Sequence, residues 1–254
     1  MEPKPTRLSW QLALIALARL CLNSGLRMVY PFAPAFSRQL GVPVTAVYRL
    51  VTIRNLAGFL SPLFGPLSER FGRRVILFGA MLFFSAGCLL VWLWPTYWLF
   101  GAALIMISVA KVIYDPAMQA YVGEMVQYKQ RGKALAVTEL SWAGALLIGG
   151  PLIGVAIERQ GWSAAFFWLG LFGVMTAVLL LKFLPKVKNK VSGRGANLAD
   201  YWRVVRHNPV IWAAMLYNIC IMAGNETIFL VFGDWMELSF GLSLLALGAS
   251  AGVI

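Results

Sequence analysis

Charge is scarce in this chain. Only 13% of its 254 residues are Asp, Glu, Lys or Arg, where a soluble globular domain carries about a quarter. Acidic residues are scarcer still, 10 against 22 basic ones. With 60% of the residues hydrophobic, too little polar surface remains to clothe a soluble fold, and the chain reads as an integral membrane protein. Histidine occurs once, as His207, with no nucleophile–base pair or metal-ligating spacing around it. That removes the usual grounds for expecting an enzyme, a metal site or a bound cofactor. Three cysteines, Cys21, Cys88 and Cys220, all fall inside apolar runs; this excludes a disulfide framework and a zinc site and predicts three buried thiols. The amino terminus starts basic, but Arg19, Asn23 and Arg27 interrupt the apolar run behind it. Such a run is too polar for the core of a cleaved leader and is expected to stay as a first span.

Long apolar runs are what the chain has in quantity. A helix needs about 20 apolar residues to cross a bilayer's hydrocarbon core, and residues 75–94 supply them without one charge. Seven complete spans are expected near 8–30, 43–64, 75–94, 97–122, 134–157, 163–184 and 209–232, with an eighth starting near Leu242 and cut by the chain end at Ile254. With the N-terminus cytoplasmic, the inner side holds fifteen Lys and Arg, whereas the outer loops hold only Arg38 and Arg159. Positive residues accumulate on the cytoplasmic side, so this imbalance sets the orientation of a multi-pass protein of the cell (inner or plasma) membrane. It also accounts for the net charge of +12: the basic residues lie in loops beside lipid, and the partner they imply is the bilayer, not nucleic acid. Trp92, Trp94 and Trp98 fit an interfacial belt. The long connection 186–208 is hydrophilic and carries Lys186, Lys188, Lys190 and Arg194. It divides the chain into an expected six-helix bundle (1–185), a cytoplasmic basic linker (186–208) and the start of a second, truncated bundle (209–254).

A faint internal echo agrees with that division. Phe36-Ser37-Arg38-Gln39-Leu40-Gly41-Val42 and Met236-Glu237-Leu238-Ser239-Phe240-Gly241-Leu242 lie 200 residues apart, each with Ala four residues on, and both are placed in outer loops after spans one and seven. Such an offset fits two parallel halves.

Between spans two and three the chain turns through Gly65-Pro66-Leu67-Ser68-Glu69-Arg70-Phe71-Gly72-Arg73-Arg74. Gly65 and Gly72 permit a tight reversal, and Glu69 and Arg73 are spaced to pair on one face if the loop is helical. Positive charge alone would make this a plain topogenic turn; the complete pattern is more specific. It resembles the signature of the major facilitator superfamily between its second and third helices, here Gly65, Leu67, Glu69, Arg70, Gly72, Arg73 and Arg74. The passage Asp115–Val122 followed by Arg131-Gly132-Lys133-Ala134 is similar to that family's fourth-to-fifth helix passage. Gly144, Gly149-Gly150-Pro151 and Gly154 resemble its glycine–proline pattern of proton-coupled antiporters, and Gly144, Gly150, Pro151 and Gly154 are the residues that carry the likeness. Small residues also let helices pack closely, so packing alone is the competing explanation. One departure is plain: family members commonly carry an arginine early in span four, and Phe100–Leu104 has no basic residue, leaving Lys111 as the nearest substitute.

Polar residues inside the spans mark the candidate site, because an ionisable group in lipid costs several kcal/mol unless it faces a cavity or a partner. Arg19, Asn23 and Arg27 recur at i, i+4 and i+8 in span one, with Tyr30 near the same stripe; Ser108, Lys111, Asp115 and Gln119 do likewise in span four. Arg54 and Asn55 add polarity in span two, with Arg49 pointing elsewhere, and Asn225 and Glu226 in span seven. Arg19, Asn23, Arg27, Arg54, Lys111 and Asn225 are the substrate-binding candidates. Asp115, Glu139 and Glu226 are the proton-coupling candidates, since burial favours a carboxylate's neutral form and an isolated one can load and release a proton. The competing reading has Asp115 and Glu139 neutralising Arg19 and Lys111 only to close the bundle.

The expected fold is all-α, a polytopic bundle of the major facilitator type with a six-helix first bundle and the first one to two helices of a second. What the resemblance implies is a secondary active transporter of a small-molecule substrate, working by alternating access, coupled to protons or another ion, and leaning to efflux by antiport. The alternative is a truncated half-transporter that acts only through association with a partner.

Overall fold

A computed structural model describes residues 5–61, 64, 71–185 and 205–250, with side chains over 9–61, 64, 71–185 and 205–249. Among the described residues every regular element is helical. The first span begins as α1 (Pro5–Arg27) but does not end at Tyr30. After a bend of 49° at Met28 it resumes as α2 (Val29–Leu40). The reason lies in its prolines. Pro31 falls in the first turn of α2, where a missing N–H costs nothing because first-turn donors have no intrahelical partner. The helix of α1 stops one turn earlier, where the Arg27 carbonyl would have looked to that N–H. The expected outer loop is therefore helix up to Leu40.

The next span starts as α3 (Val44–Asn55) and tightens into a 3₁₀ turn at Leu56–Leu60. Residues 65–70 of the following turn lie outside the described residues. Gly72 (φ 87°) then opens α4 (Arg73–Leu93). Thr96 caps α5 (Tyr97–Met125), its hydroxyl accepting from the Leu99 N–H at 3.4 Å. A third long span is continuous from α6 (Arg131–Gly144) through a π turn at Ala145–Gly149 into α7 (Gly150–Gln160). Pro151, which donates no bond to the turn before it, sits where that widened turn ends. The span α8 (Trp162–Phe183) follows. Beyond the linker come α9 (Pro209–Phe240) and α10 (Leu244–Ser250).

Among the described residues five helical stretches are long and apolar enough to cross a membrane, or six with the bent α1–α2 pair as one span. The expected second span falls short among the described residues because α3 carries Arg49, Arg54 and Asn55 and gives way to the 3₁₀ turn.

Helix α4 packs along α8 and α5, while α1 crosses α5, α6 and α8. At one end of this bundle Phe36, Phe100, Trp162 and Phe166 form an aromatic nest with ring centroids 5.2–6.1 Å apart. Helix α9 leans on α2, and α10 on α7. Those contacts need glycine: a Cβ on Gly233 would strike the backbone of Tyr30 and Pro31, and one on Gly150 or Gly154 would strike the backbone of α10. Most of α9 is uncovered, and Cys220 is exposed on it, unlike buried Cys21 and Cys88. The expectation of three buried thiols fails at this position because an apolar run facing outward offers no cover of its own.

The echo has a structural counterpart. Both copies are helix ends, not loops: α2 ends at Gly41 (φ 66°, ψ 30°) and α9 at Gly241 (φ 58°, ψ 33°), the left-handed cap that glycine adopts without a steric cost. The next helices begin at Val44 and Leu244, keeping the 200-residue offset.

Candidate functional site

The stripe on α1 meets two different environments. Near its middle, Arg19 is 5% exposed and points between α5 and α6. Its Nε donates to Asp115 Oδ1 at 3.1 Å, and its Nη1 lies 2.7 Å from Glu139 Oε1 and 3.0 Å from the Thr138 carbonyl. Lys111 Nζ donates to the other Asp115 oxygen at 2.8 Å, one helical turn away on α5. Two cations thus meet two carboxylates, and the group is neutral. Asn23 continues the layer by donating to Ser141 Oγ at 3.2 Å, and that hydroxyl donates to the Thr138 carbonyl at 2.6 Å. Asp115 is mostly covered, whereas the Glu139 side chain is 54% exposed. Gln119, at the far end of the span-four stripe, is exposed.

Eight residues along, about 12 Å at the helical rise, a second cluster joins α1, α2, α3 and α6 to α9. Arg27 Nη1 lies 3.3 Å from Glu226 Oε1, and the Tyr30 hydroxyl donates to Glu226 Oε2. The Arg27 guanidinium also sits 3.9 Å from the Trp142 ring centroid and 4.9 Å from that of Phe229, a cation–aromatic arrangement that stabilises a desolvated charge. Arg54 is fully buried behind Tyr30, with its Cζ 5.2 Å from the ring centroid. Arg54 Nη1 donates to the Leu26 carbonyl at 2.8 Å, while its Nε and Nη2 have no hydrogen-bond partner. Arg49 is exposed, as its position on α3 predicts. Asn225 is half-buried beside Glu226.

None of the three carboxylates expected to carry protons is isolated: Asp115 and Glu139 share Arg19, and Glu226 is held by Arg27 and Tyr30. Sequence spacing could not bring Glu226 to Arg27, because nothing along one helix indicates which helix crosses it. Thr138, Ser141 and Phe229 were absent from the candidates for the same reason. The only trace of the first two is a polar and aromatic notch, Thr138-Glu139-Leu140-Ser141-Trp142, in an otherwise apolar span.

Two further ionic contacts lie at the ends of the bundle. Arg38 on α2 pairs with Glu237 on α9, so the two echo segments hold each other. At the opposite end Arg73 Nε lies 3.3 Å from Glu124 Oε1 near the end of α5, and Arg74 donates to the Leu181 carbonyl of α8. Gly65, Leu67, Glu69 and Arg70 of the turn lie outside the described residues. In the glycine–proline segment, Gly144 faces Leu20, Gly149 faces Ser24, and Gly150 and Gly154 face α10. Among the described residues no group of His, Cys, Asp and Glu is arranged to hold a metal.

Comparison with known proteins places this geometry. The sequence matches the Major Facilitator Superfamily over residues 15–254. It is 25% identical over 179 residues to the uncharacterized MFS-type transporter YbcL of Bacillus subtilis (strain 168), covering 70% of this chain and 46% of that protein. The chain thus spans about half the length of this curated relative. Among solved structures, a bacterial homolog of the human lysosomal transporter Spinster, inward-facing and unoccupied, superposes with a TM-score of 0.75 at 14% identity, covering 98% of this chain and 59% of that one. A POT peptide transporter in complex with alafosfalin gives 0.62 at 13% identity over 84% of this chain and 45% of that one. With 240 of its 254 residues matched and the bundle shared, this multi-pass membrane protein belongs to the Major Facilitator Superfamily, a family of membrane transporters.

Proposed function

We propose that the protein is a secondary active transporter of a small solute, in which α9 and the elements after it rock against the six-span bundle. The supporting observation is the Arg27–Glu226–Tyr30 cluster: two elements on opposite sides of the linker are held by one carboxylate at mid-span depth. Residues 1–185 form the first bundle, 186–208 the linker and 209–254 the start of the second bundle. The N-terminus is cytoplasmic in the cell membrane, which the distribution of Lys and Arg supports. The Gly41/Gly241 end is then the outer side, and the Arg38–Glu237 pair closes it in this conformation.

Proton coupling fits the same cluster. With Glu226 ionised, the carboxylate attracts Arg27 and accepts from Tyr30. A proton on Glu226 removes the charge that Arg27 answers and frees α9 to part from α2. The Arg19–Asp115–Glu139 group is a second proton candidate on the inner half of the path, with Glu139 the more accessible of its carboxylates. Export in exchange for protons is the direction we assign, on the likeness of Gly144, Gly150, Pro151 and Gly154 to antiporters. Arg19, Asn23, Arg27, Arg54, Lys111 and Asn225 line the proposed path, with Arg19 and Lys111 already neutralised by the protein itself.

The test is flux in proteoliposomes with an imposed pH gradient. Glu226→Gln is expected to lose the acceleration by the gradient, about tenfold or more, an effect typical of an abolished proton-transfer group, while exchange of solute across the membrane persists. A Glu226→Gln protein that follows the gradient like the wild type would remove this residue from coupling. The same assay on Asp115→Asn and Glu139→Gln decides between the two clusters.

A further inference from the structure

Charge counting separates the two clusters. Arg19 and Lys111 face Asp115 and Glu139 and sum to zero, whereas of the neighbouring Arg27 and Arg54 only Arg27 has a carboxylate partner, Glu226. Among the described residues no carboxylate lies within ion-pair distance of Arg54, although the residue is fully buried. A buried charge left in this way is destabilising unless something completes it. The unpartnered atoms are informative. Nε and Nη2 form the side edge of the guanidinium, two parallel N–H groups that match the two oxygens of one carboxylate. Arg27 Nε and Ser24 Oγ are also buried without a hydrogen-bond partner, and both residues line a crevice against Pro31, Leu146 and Ile153. The surroundings are otherwise aromatic or apolar: Tyr30, Trp142 and Phe229.

We propose that Arg54 is the recognition residue for a monocarboxylate with an apolar or aromatic body, which supplies the one negative charge that the Arg27–Arg54–Glu226 cluster lacks. This rests on the transport reading and deepens it. When α9 lifts from α2, the substrate carboxylate reaches the free edge of Arg54 and its body lies against the Tyr30 and Trp142 rings. A single negative charge is the match; a dicarboxylate brings a second that no free cation answers, and a neutral or cationic solute leaves Arg54 uncompensated.

The experiment uses benzoate as the probe in proteoliposomes under an imposed pH gradient, with succinate, glucose and tetraphenylphosphonium as the other solutes. Because benzoic acid and tetraphenylphosphonium also cross bare lipid, movement is counted only above that of protein-free vesicles; by that measure wild-type vesicles are expected to carry benzoate and none of the other three. Arg54→Lys keeps the charge but loses the two-pronged edge; its KM for benzoate is expected to rise about tenfold or more, with kcat within about threefold, the pattern of lost binding without lost chemistry. Exposed Arg49→Gln serves as the control, with no change. Equilibrium binding of benzoate to purified protein, read by tryptophan fluorescence, is expected to weaken by the same factor in Arg54→Lys. An unchanged KM and affinity in that variant would overturn the assignment of Arg54. Carriage of glucose, tetraphenylphosphonium or succinate in place of benzoate would overturn the substrate class and leave the transport reading standing. Movement of none of the four would contradict both.

Discussion

Arg19 and Arg54 show how differently a buried arginine can be treated within one bundle. Arg19 is answered on both sides, by Asp115 and by Glu139. Its partners differ in exposure, which sets what their loss costs. Removing the charge of covered Asp115 leaves Arg19 and Lys111 with one carboxylate between them, and breaking a buried pair in this way costs about 3–5 kcal/mol. Glu139 is half-exposed, and its pair is worth about 1 kcal/mol or less. In thermal unfolding of purified protein, Asp115→Asn is therefore expected to lower the midpoint well below that of Glu139→Gln. Equal midpoints would mean that Asp115 is not the carboxylate holding the bundle together. The residue types at these places were readable from the sequence, because charge inside an apolar run needs a reason. The pairing of Arg19 and Lys111 with Asp115 and Glu139 was one of the two readings the sequence offered; that of Arg27 with Glu226 was not, because the spacing of Arg19, Asn23 and Arg27 marks one face of α1 but leaves open that this face meets α5 and α6 at one level and α9 at another.

At the scale of elements, the glycine–proline segment divides by what each glycine meets. Gly144 faces the end of the Leu20 side chain, which can rotate away; Gly150 faces the backbone of Gly248, which cannot. The same added methyl therefore has two outcomes. Gly150→Ala is expected to destabilise by about 1–3 kcal/mol, the range for overpacking a tight contact, and Gly144→Ala to be close to neutral. Thermal unfolding of the two variants checks this, and equal losses would contradict the close α7–α10 contact. The helix ends were the least legible elements. Pro31 read as the start of a loop, yet it sits in the first turn of a resumed helix, and Gly41 and Gly241 carry the chain reversal ten residues later than expected on α2. Local sequence could not decide this, because proline stops a helix from within and starts one equally well.

At the scale of the molecule, the echo of seven residues is the only sequence feature that tied the two sides of the linker together, and its two copies end in the same glycine cap and pair through Arg38 and Glu237. Apolar runs and loop charge gave the bundle class, since lipid leaves the backbone few choices. How α9 docks on α2 was not legible, because it depends on a close approach at Gly233 that leaves no periodic trace. The central proposal is that this docked arrangement opens and closes during transport. The most direct measurement is a reversible cross-link between Arg38→Cys and Glu237→Cys, in a background where exposed Cys220 is replaced by Ser. Oxidation is expected to stop flux, and reduction to restore it. Undiminished flux through the cross-linked protein would contradict the account.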